Sequence, residues 1–422
     1  MKKKVLACII SVLLTVTLLS GCGSSGAGSD IITLDFWTID LKANFQDYFE
    51  KLIENYEEEN PGVHIKWTDL PYDDIRAKLV TAIAGGNAPD VVNLNTQIAL
   101  TLAGKGTLVD LNSAASVEQK SIYTESLWDS AKLGDHVYAF PWYASPDIMF
   151  YNKELFDKAG ITQPPSTFDE AISMAKDFKD KTGAYLFTPD EFYYQLQEEN
   201  LPVLSEDKTK AAFNNQKTVD LLDKYKALTD RDILPKTGWG DWDEELSQFE
   251  AGNLAIISSS GSSLNSIKSN RPEIAEHMLV AEPLKGSTGL SRDSLMNLVV
   301  PADSKHQKEA IDFAAYVTND KNQLEFCRQV SIFPSTKKAA ADPYFASDTT
   351  SLEGQASAMS AEAANSSKDF ALGVAEQDDI QDALHNAYQA VIVNGDDTED
   401  ALSDCEKVVN DLLEGNVSTS FS

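Results

Sequence analysis

The chain has 422 residues, and its 35 lysines and arginines against 66 aspartates and glutamates give a formal net charge of −31. This acidity argues against nucleic acid or an anionic lipid surface as the partner, because binding to either depends on cationic patches. A content of 42% hydrophobic and 24% charged residues is ordinary for a soluble globular protein, and the length predicts two or three domains.

The N-terminus has the pattern of an export signal. Three lysines at positions 2–4 precede an apolar run that ends at Leu19 and is too short for a comfortable membrane span. The next residues, Ser-Gly-Cys22, complete a resemblance to the lipobox of bacterial lipoproteins, in which the cysteine is diacylated and becomes the new N-terminus. We therefore predict a lipoprotein signal peptide over 1–21, then a lipidated Cys22 and a flexible Gly/Ser tether over 22–29. The alternative is a plain secretory signal with an incidental cysteine.

Removal of the signal leaves 32 basic against 66 acidic residues, a formal charge of −34. Cys8 leaves with the signal, so Cys327 and Cys405 are the cysteines of the folded body. Two cysteines so far apart do not form a disulfide framework, and both are predicted to be small buried hydrophobic residues. Whether they pair is left open.

The N-terminal part of the folded chain alternates strands and helices. Residues 31–37 alternate as a strand, 45–56 carry apolar residues at helical spacing, and Asn60-Pro61-Gly62 ends that helix before a second strand at 63–67. Short links between alternating strands and helices predict a parallel sheet with right-handed crossovers.

The next unit predicts a ligand-facing edge. Residues 73–84 form a helix that Gly85 and Gly86 end in the left-handed conformation, and 90–94 form a buried strand. Residues 95–97 follow at its carboxyl end, which is where open α/β sheets bind ligands. The alternative is that Asn95 only caps the next helix.

Several motifs together resemble a known family. They are Ala-Gly-Gly-Asn-Ala-Pro-Asp-Val-Val at 84–92, Gly-Thr-Leu-Val-Asp-Leu at 106–111, Tyr-Asn-Lys-Glu-Leu-Phe at 151–156 and Phe-Glu-Ala-Gly-Asn-Leu-Ala at 249–255. With the lipobox, they resemble the carbohydrate-binding lipoproteins of bacterial ABC importers, extracellular solute-binding family 1, relatives of maltose-binding protein.

The resemblance implies an α/β fold of the two-lobed, type II periplasmic-binding-protein kind, with a mainly parallel sheet flanked by helices in each lobe and hinge crossings between them. The implied boundaries are 30–143 plus 299–329 for lobe one, 146–294 plus 334–422 for lobe two, and hinges near 141–147, 297–301 and 330–334. Two prolines around aromatic residues make 141–147 an inter-lobe crossing instead of a helix or central strand. A carbohydrate ligand, the importer's membrane subunits, a separate ATPase and no catalysis are implied as well.

A sugar needs flat rings for its C–H faces and amides, carboxylates or hydroxyls for its rim. The predicted ligand-binding residues are Trp37, Asp40, Tyr72, Asn95, Gln97, Trp142, Tyr143, Asp147, Tyr193, Trp239, Trp242, Ser259 and Ser260. The two serines stand where relatives carry a Gly-x-Trp-like turn, and this chain lacks that tryptophan. Trp239 is expected to contact ligand without supporting the fold, so its truncation is expected to weaken binding and to leave stability unchanged.

Other classes of function find less support. The histidines at 64, 136, 277, 306 and 385 have no paired ligand spacing, no Gly-x-Ser-x-Gly occurs, and no phosphate-binding glycine loop is present, so no metal or cofactor is expected. An exported carbohydrate-active hydrolase is the rival enzyme hypothesis, and glycerophosphodiester or polyamine is the alternative cargo. The expected form is a monomer held by its lipid on the extracellular face of the cell membrane, with a Gram-positive surface favoured over a periplasm.

Overall fold

The computed structural model describes residues 31–261, 263–330, 332–346, 350–364 and 366–415. The predicted signal peptide, Cys22 and the tether lie outside these residues. In the described ranges, no helix combines the length and the apolar character needed to cross a membrane.

The first elements alternate as predicted. They are β1 (Ile32–Ile39), α1 (Lys42–Glu59), β2 (Val63–Leu70), α2 (Tyr72–Ala84), β3 (Val91–Asn95) and α3 (Thr96–Gly104). β1 pairs in parallel with β2 and with β3, which confirms the parallel arrangement. α2 ends at Gly85, whose φ is −82°, and the left-handed turn comes only at Gly86, whose φ is 69°. The predicted left-handed conformation is therefore right for Gly86 and wrong for Gly85.

The remaining elements complete both halves of the molecule. Short elements follow α3: α4 (Leu111–Ala114), α5 (Val117–Ser121), α6 (Glu125–Trp128), a 3-10 turn (Asp129–Ala131), β4 (Lys132–Leu133) and β5 (His136–Val137). The middle of the chain forms β6 (Phe140–Asn152), α7 (Lys153–Ala159), α8 (Phe168–Thr182), α9 (Phe192–Glu198), α10 (Gln216–Asp230), α11 (Trp242–Glu250), β7 (Ile256–Ser260), α12 (Ser263–Asn270), α13 (Pro272–Ala275), β8 (Met278–Ala281) and β9 (Ser291–Val299). The last part forms α14 (Gln307–Val317), α15 (Asp320–Cys327), β10 (Phe333–Pro334), α16 (Lys337–Ala340), a 3-10 turn (Pro343–Ala346), α17 (Leu352–Ala363), β11 (Ser367–Lys368), α18 (Gln377–Tyr388), a π-helical turn (Gln389–Asn394) and α19 (Thr398–Leu413).

Strands β6 and β9 connect the two halves. The first part of β6 pairs antiparallel with β9, and its second part pairs antiparallel with β7 and β8. The mainly parallel sheet expected in each half is therefore found only in the N-terminal half. β9 also pairs with β3, which joins it to the parallel strands. The prediction that 141–147 avoids a central strand is therefore wrong. The sheet accommodates Pro141 because the register shifts between Pro141 and Tyr143, where the ladder is already interrupted.

Hydrophobic packing forms separate cores in the two halves. One group contains Phe36, Phe49 and Leu94, and the other contains Phe178 and Phe249. We call the halves lobe one and lobe two. Each lobe buries its own apolar surface, so the connecting strands do not have to hold either lobe together.

The packing places one boundary differently from the prediction. Ile332 and Phe345 belong to the core of lobe one, and β10 pairs with β6 at Tyr143 and Ala144. Ala356 belongs to a core of lobe two. The chain therefore reaches lobe two after Phe345, and not at the crossing predicted over 330–334.

The two cysteines lie in different lobes. Cys327 is buried in the core of lobe one and Cys405 in the core of lobe two, and both are free thiols. Burial raises the pKa of Cys327 well above its ordinary value and that of Cys405 to about 12. The prediction that both are small buried hydrophobic residues is confirmed.

A buried glutamine holds β10 against β6. The side chain of Gln323 donates to the backbone oxygen of Thr318 at 2.7 Å and to Ser335 Oγ at 2.9 Å, and it accepts from Ser335 N at 2.7 Å. Ser335 Oγ in turn donates to the backbone oxygen of Pro141 at 2.6 Å. The network satisfies backbone groups at the bulge, which the sheet ladder leaves unpaired.

We expect Gln323→Ala to lower the free energy of unfolding by about 3 kcal/mol, because it leaves buried donors and acceptors without partners. Chemical denaturation measures the change. Gln46→Ala, at an exposed position of α1, is the matched control and should change stability by no more than about 0.5 kcal/mol. Equal effects of the two substitutions would contradict the assigned role of Gln323.

Candidate functional site

The carboxyl ends of the parallel strands form a polar edge on lobe one. Asp40 is exposed with φ at 51°, and its Oδ2 accepts from the backbone nitrogen of Tyr72 at 3.0 Å. Asn95 Nδ2 donates to the hydroxyl of Tyr72 at 2.7 Å, while Asn95 Oδ1 caps α3 by accepting from Ile98 N at 2.8 Å. Asn95 therefore does what the capping alternative predicted, and it also positions an exposed tyrosine at this edge.

Gln97 joins this edge to lobe two. Its Nε2 donates to the hydroxyl of Tyr194 at 3.1 Å and to Gln381 Oε1 at 3.0 Å, and Gln381 Nε2 donates to Glu191 at 2.7 Å. Other contacts between the lobes run beside it: Thr96 to Asp369 at 2.5 Å and Arg76 to Asp378 at 2.8 Å. We call this set of contacts between α2 and α3 on one side and α9, α18 and Asp369 on the other the seam.

A partly buried arginine lies behind the seam in lobe two. Arg292 donates from Nε to Asp147 at 2.9 Å and from Nη1 to Asp190 at 3.1 Å. Its guanidinium lies over the ring of Tyr194, 4.9 Å from the centroid. Tyr194 therefore separates the arginine from Gln97 and links the charged groups of lobe two to the seam.

A small cavity adjoins this arginine. It has a volume of about 50 Å³, and its charged and aromatic lining includes Asp147, Asp190, Glu198, Trp242, Glu245 and Arg292. We call it the carboxylate pocket. Its volume suits a few water molecules, whereas sites for drug-sized ligands measure roughly 300–1,000 Å³. The pocket is therefore too small for a sugar ring.

Glu198 is the least satisfied carboxylate of the pocket. Its side chain is buried and, within the described part of the chain, its Oε2 has no hydrogen-bond partner. The backbone oxygen of Glu198 accepts from Thr288 N at 3.0 Å and from Thr288 Oγ1 at 2.8 Å. A Cβ at Gly286 would come within 2.6 Å of that oxygen, so glycine is needed there for the approach.

A tight loop supplies a further carboxylate. Gly240 has φ at 72°, and its nitrogen donates to Glu245 Oε1 at 3.2 Å. A Cβ at Gly240 would lie 2.8 Å from Cβ of Glu191. The glycine thus permits both the left-handed backbone and the close approach that bring Glu245 and Glu191 into the same region.

Burial makes these carboxyl groups weak acids. It raises the pKa of Asp147 to about 6 even though Arg292 opposes the shift, that of Glu191 to about 7 and that of Glu245 to about 8. Burial and the neighbouring Asp190 raise the pKa of Glu198 well above its ordinary value. The pocket therefore holds protons near neutral pH.

Trp142 and Tyr143 lie mainly in the core of lobe one. Trp142 is fully buried and stacks on Phe326, with ring centroids 5.5 Å apart. Tyr143 packs on both residues and is 8% exposed. The predicted ligand contact of Trp142 is contradicted, because protein covers its ring, and Tyr143 offers little surface to a ligand.

Tyr193 and Trp239 lie in the core of lobe two. Trp239 stacks on Tyr388 with centroids 4.6 Å apart and donates from Nε1 to the backbone oxygen of Pro235 at 2.9 Å. Tyr193 donates its hydroxyl to the backbone oxygen of Phe370 at 2.6 Å. The predicted ligand contacts of both are contradicted, and so is the expectation that Trp239 leaves the fold unsupported.

Other predicted residues remain partly exposed. Trp37 packs against a core of lobe one, and Trp242 lines the carboxylate pocket. Ser259 shares a hydrogen bond of 2.7 Å with Ser263, and Ser260 lies opposite Asp147 in the pairing of β6 with β7. For these residues, ligand contact stays a prediction.

The site also contains residues that were not predicted from the sequence: Tyr194, Gln381, Arg292, Glu198 and Glu245. Tyr194 follows Tyr193 on α9, and successive helical residues point about 100° apart, so one ring enters the core while the other meets the seam. The missed carboxylates carried no recognisable signal, because they are spread over α9 and α11 in an acidic chain.

A larger cavity of about 940 Å³ also lies between the lobes. Its lining comes from residues 124–144 and 333–341 of lobe one and from Lys208, Asp293 and residues 364–373 of lobe two. This volume suits a sugar, but Phe333 is the one aromatic residue among those described in its lining. The seam is the better candidate for a ligand site, because it has Tyr72 and Tyr194 beside amides and carboxylates at the carboxyl ends of the strands, with the pocket that Trp242 lines next to it.

In the described ranges, no group of three or more histidine, cysteine, aspartate or glutamate side chains is arranged to hold a metal ion.

Two α/β lobes that share strands and enclose a polar aromatic site define a solute-binding protein of the periplasmic type. The model of the bacterial extracellular solute-binding protein family matches residues 42–324, and the chain belongs to this family. The diacetylchitobiose binding protein DasA of Streptomyces coelicolor is 24% identical over an alignment of 440 positions, gaps included. The alignment covers 98% of this chain and 99% of that protein.

Solved structures show the same fold. A candidate oligosaccharide periplasmic-binding protein from Synechococcus sp. MITs9220 is 26% identical, covers 91% of this chain and 99% of its own, and superposes with a TM-score of 0.83. The sugar-binding protein MalE from Xanthomonas citri is 22% identical, covers 91% and 98%, and has a TM-score of 0.74. The predicted type II periplasmic-binding-protein fold is confirmed.

We expect Trp239→Ala to lower the free energy of unfolding by about 3–5 kcal/mol, as truncation of a core tryptophan does. Trp242→Ala, at the partly exposed edge of the pocket, should cost clearly less. Urea denaturation of both variants gives the comparison. Wild-type stability of the Trp239 variant would contradict the packing described above.

Stability should rise as the pH falls from 8 to 5.5. The raised pKa values of Asp147, Glu191 and Glu245 mean that the folded state binds more protons than the unfolded state, whose carboxyls have pKa values of about 4. The stabilisation grows as the pH falls through the folded-state values and is complete only below the unfolded-state pKa values of about 4, so most of it is present at pH 5.5 and most is lost at pH 8. Urea midpoints measure it in ligand-free protein, and Glu245→Gln should reduce the difference. A higher midpoint at pH 8 would contradict the electrostatics of the pocket.

Proposed function

We propose that this protein is an extracellular receptor that captures a carbohydrate between its lobes and delivers it to an ABC importer. The seam carries the proposal, because there the amide of Gln97 meets the hydroxyl of Tyr194 and the amide of Gln381 from the other lobe. Such groups suit the hydroxyl rim of a sugar, and the rings of Tyr72, Tyr194 and Trp242 suit its C–H faces. The names of DasA and MalE, which describe sugar-binding proteins, support the same class of ligand.

Binding proceeds by opening and closing about the shared strands. A sugar enters while the seam is open, and its hydroxyls replace the contacts that Gln97 makes with Tyr194 and Gln381. Because the ligand touches both lobes only when they approach, it binds the closed state more tightly and shifts the population toward it. The closed form is then the one presented to the importer.

Export and anchoring complete the role. Residues 1–21 direct export, Cys22 carries the lipid, and residues 22–29 let the lobes move near the extracellular face of the membrane. The protein acts as a monomer, and the membrane subunits and ATPase of the importer are separate chains. A Gram-positive surface suits this arrangement, since a secreted receptor without a periplasm needs an anchor.

Two of the alternatives, a phosphodiester cargo and a hydrolase, fit the site less well. A phosphodiester would need cationic groups, but Arg292 is already paired with Asp147 and Asp190. A hydrolase would convert a glycan without partners, whereas the relatives named above are binding proteins. Incubation with a panel of sugars and oligosaccharides, followed by thermal-shift and product analysis, separates these possibilities. A stabilising sugar that is recovered intact supports the proposal, and product formation contradicts it.

Gln97→Ala should weaken binding of the sugar found in that screen about fivefold or more, because each lost hydrogen bond contributes about 0.5–1.5 kcal/mol. Isothermal titration calorimetry measures the dissociation constant. Gln46→Ala is the control and should bind like the wild type. Unchanged binding by the Gln97 variant would show that the ligand does not bind at the seam.

Cys22→Ser should release the protein from the membrane fraction without changing its sugar affinity, because the tether is separate from the lobes. Fractionation of cells that express the two forms measures the release. Retention of the serine variant in membranes would show that the anchor lies elsewhere.

A further inference from the structure

The carboxylate pocket has more acidic groups than its single cation can pair. Asp147, Asp190, Glu198 and Glu245 line it, and Arg292 makes ion pairs with only the first two. Glu245 accepts from the backbone nitrogen of Gly240. Burying carboxylates beyond the number of available cations is costly unless something else compensates their charge.

Glu198 shows that the compensation is incomplete without a ligand. It is 2% exposed, it lines the cavity, and its Oε2 lacks a hydrogen-bond partner among the described residues. An acceptor that is buried and unpaired calls for a donor in the cavity. A protonated amine brings three donors and a positive charge in one small group.

The size of the pocket agrees with such a group. About 50 Å³ is room for a few water molecules, and hence for an ammonium group and its carbon, but it is too small for a sugar ring. Asp190 and Trp242, which are partly exposed, form its outer edge. The remainder of a ligand would therefore stay between the lobes while the amine enters the pocket.

We propose that the carboxylate pocket is a subsite for a positively charged primary amine carried by the ligand, held by Glu198, Asp190, Asp147 and Glu245. The inference rests on the proposed function in that it places the rest of the ligand at the seam. Trp242 lies beside the subsite and covers the carbon that bears the amine. Charge balances because carboxyl groups of the pocket that hold a proton release it to solvent when the ammonium binds.

An amino sugar and a polyamine both carry this group, so the test uses both. Calorimetry compares the disaccharide of glucosamine with its di-N-acetylated form, which has the same ring and no cation, and adds spermidine as an amine without a sugar. We expect the free-amine disaccharide to bind at least about 30-fold more tightly than the acetylated one. The ammonium pairs with the buried carboxylates, whereas the acetylated form leaves their charge unpaired.

The proposed subsite implies how pH and mutation should change the preference for the free amine over the acetylated form. Spermidine amines stay protonated over pH 6–8, as a lysine does, so any affinity for spermidine should rise over this range as Asp147 and Glu245, with pKa values of about 6 and about 8, give up protons. Asp190, Glu191, Glu198 and Arg292 are the other charged groups that face the region. Glu198→Gln should abolish most of the preference for the free amine over the acetylated form. Glu206→Gln, which removes the same charge at an exposed position, is the matched control and should keep the preference.

Glu245→Gln provides the same test if the Glu198 variant does not fold. Tight binding of spermidine but of no sugar would support the amine subsite and overturn the carbohydrate proposal. Equal affinity for the free and acetylated disaccharides would overturn the subsite and leave the carbohydrate proposal standing. A preference that survives both Glu198→Gln and Glu245→Gln would also overturn the subsite.

Discussion

Strands β6 and β9 pass from one lobe to the other while hydrogen-bonded to each other, and this shared ribbon constrains everything else in the molecule. Each lobe has its own hydrophobic cores, so the movement between lobes proposed above would have to bend this ribbon. Pro141 and the register shift beside it weaken the ladder where bending is needed. Gln323 and Ser335 replace the lost contacts on the side of lobe one.

The ribbon also decides where the site can lie. β3 pairs with β9, so the carboxyl end of β3 and the start of α3 lie beside the strand that leads into lobe two. Thr96 and Gln97 therefore reach Asp369, Tyr194 and Gln381 without long loops.

Several carboxylates are buried around Arg292, and their burial lowers the free energy of unfolding of the protein. Such groups lower the stability of the empty protein unless protons or a ligand neutralise them. The same groups raise the gain on binding a ligand that supplies hydrogen-bond donors, so stability and affinity are set by one cluster.

Much of the fold could be predicted from the sequence, because apolar periodicity and turn residues act locally. The parallel order of β1, β2 and β3 and the helix that ends at Gly85 follow from such patterns. The site was harder to predict from the sequence, because contacts such as the stacking of Trp239 on Tyr388 join residues that are far apart in the chain. A tryptophan between two glycines has the same local sequence whether its ring meets a ligand or a core. Pairing of Arg292 with Asp147 and Asp190 likewise depends on tertiary contacts.

Closure of the two lobes around an intact sugar is the central claim. Small-angle X-ray scattering of the mature protein, with and without a sugar that stabilises it, tests this claim most directly. We expect the sugar-bound protein to have a smaller radius of gyration than the ligand-free protein, because the ligand-free population includes forms with an open seam. Saturating binding with no change in scattering, across sugars that are recovered intact, would contradict it.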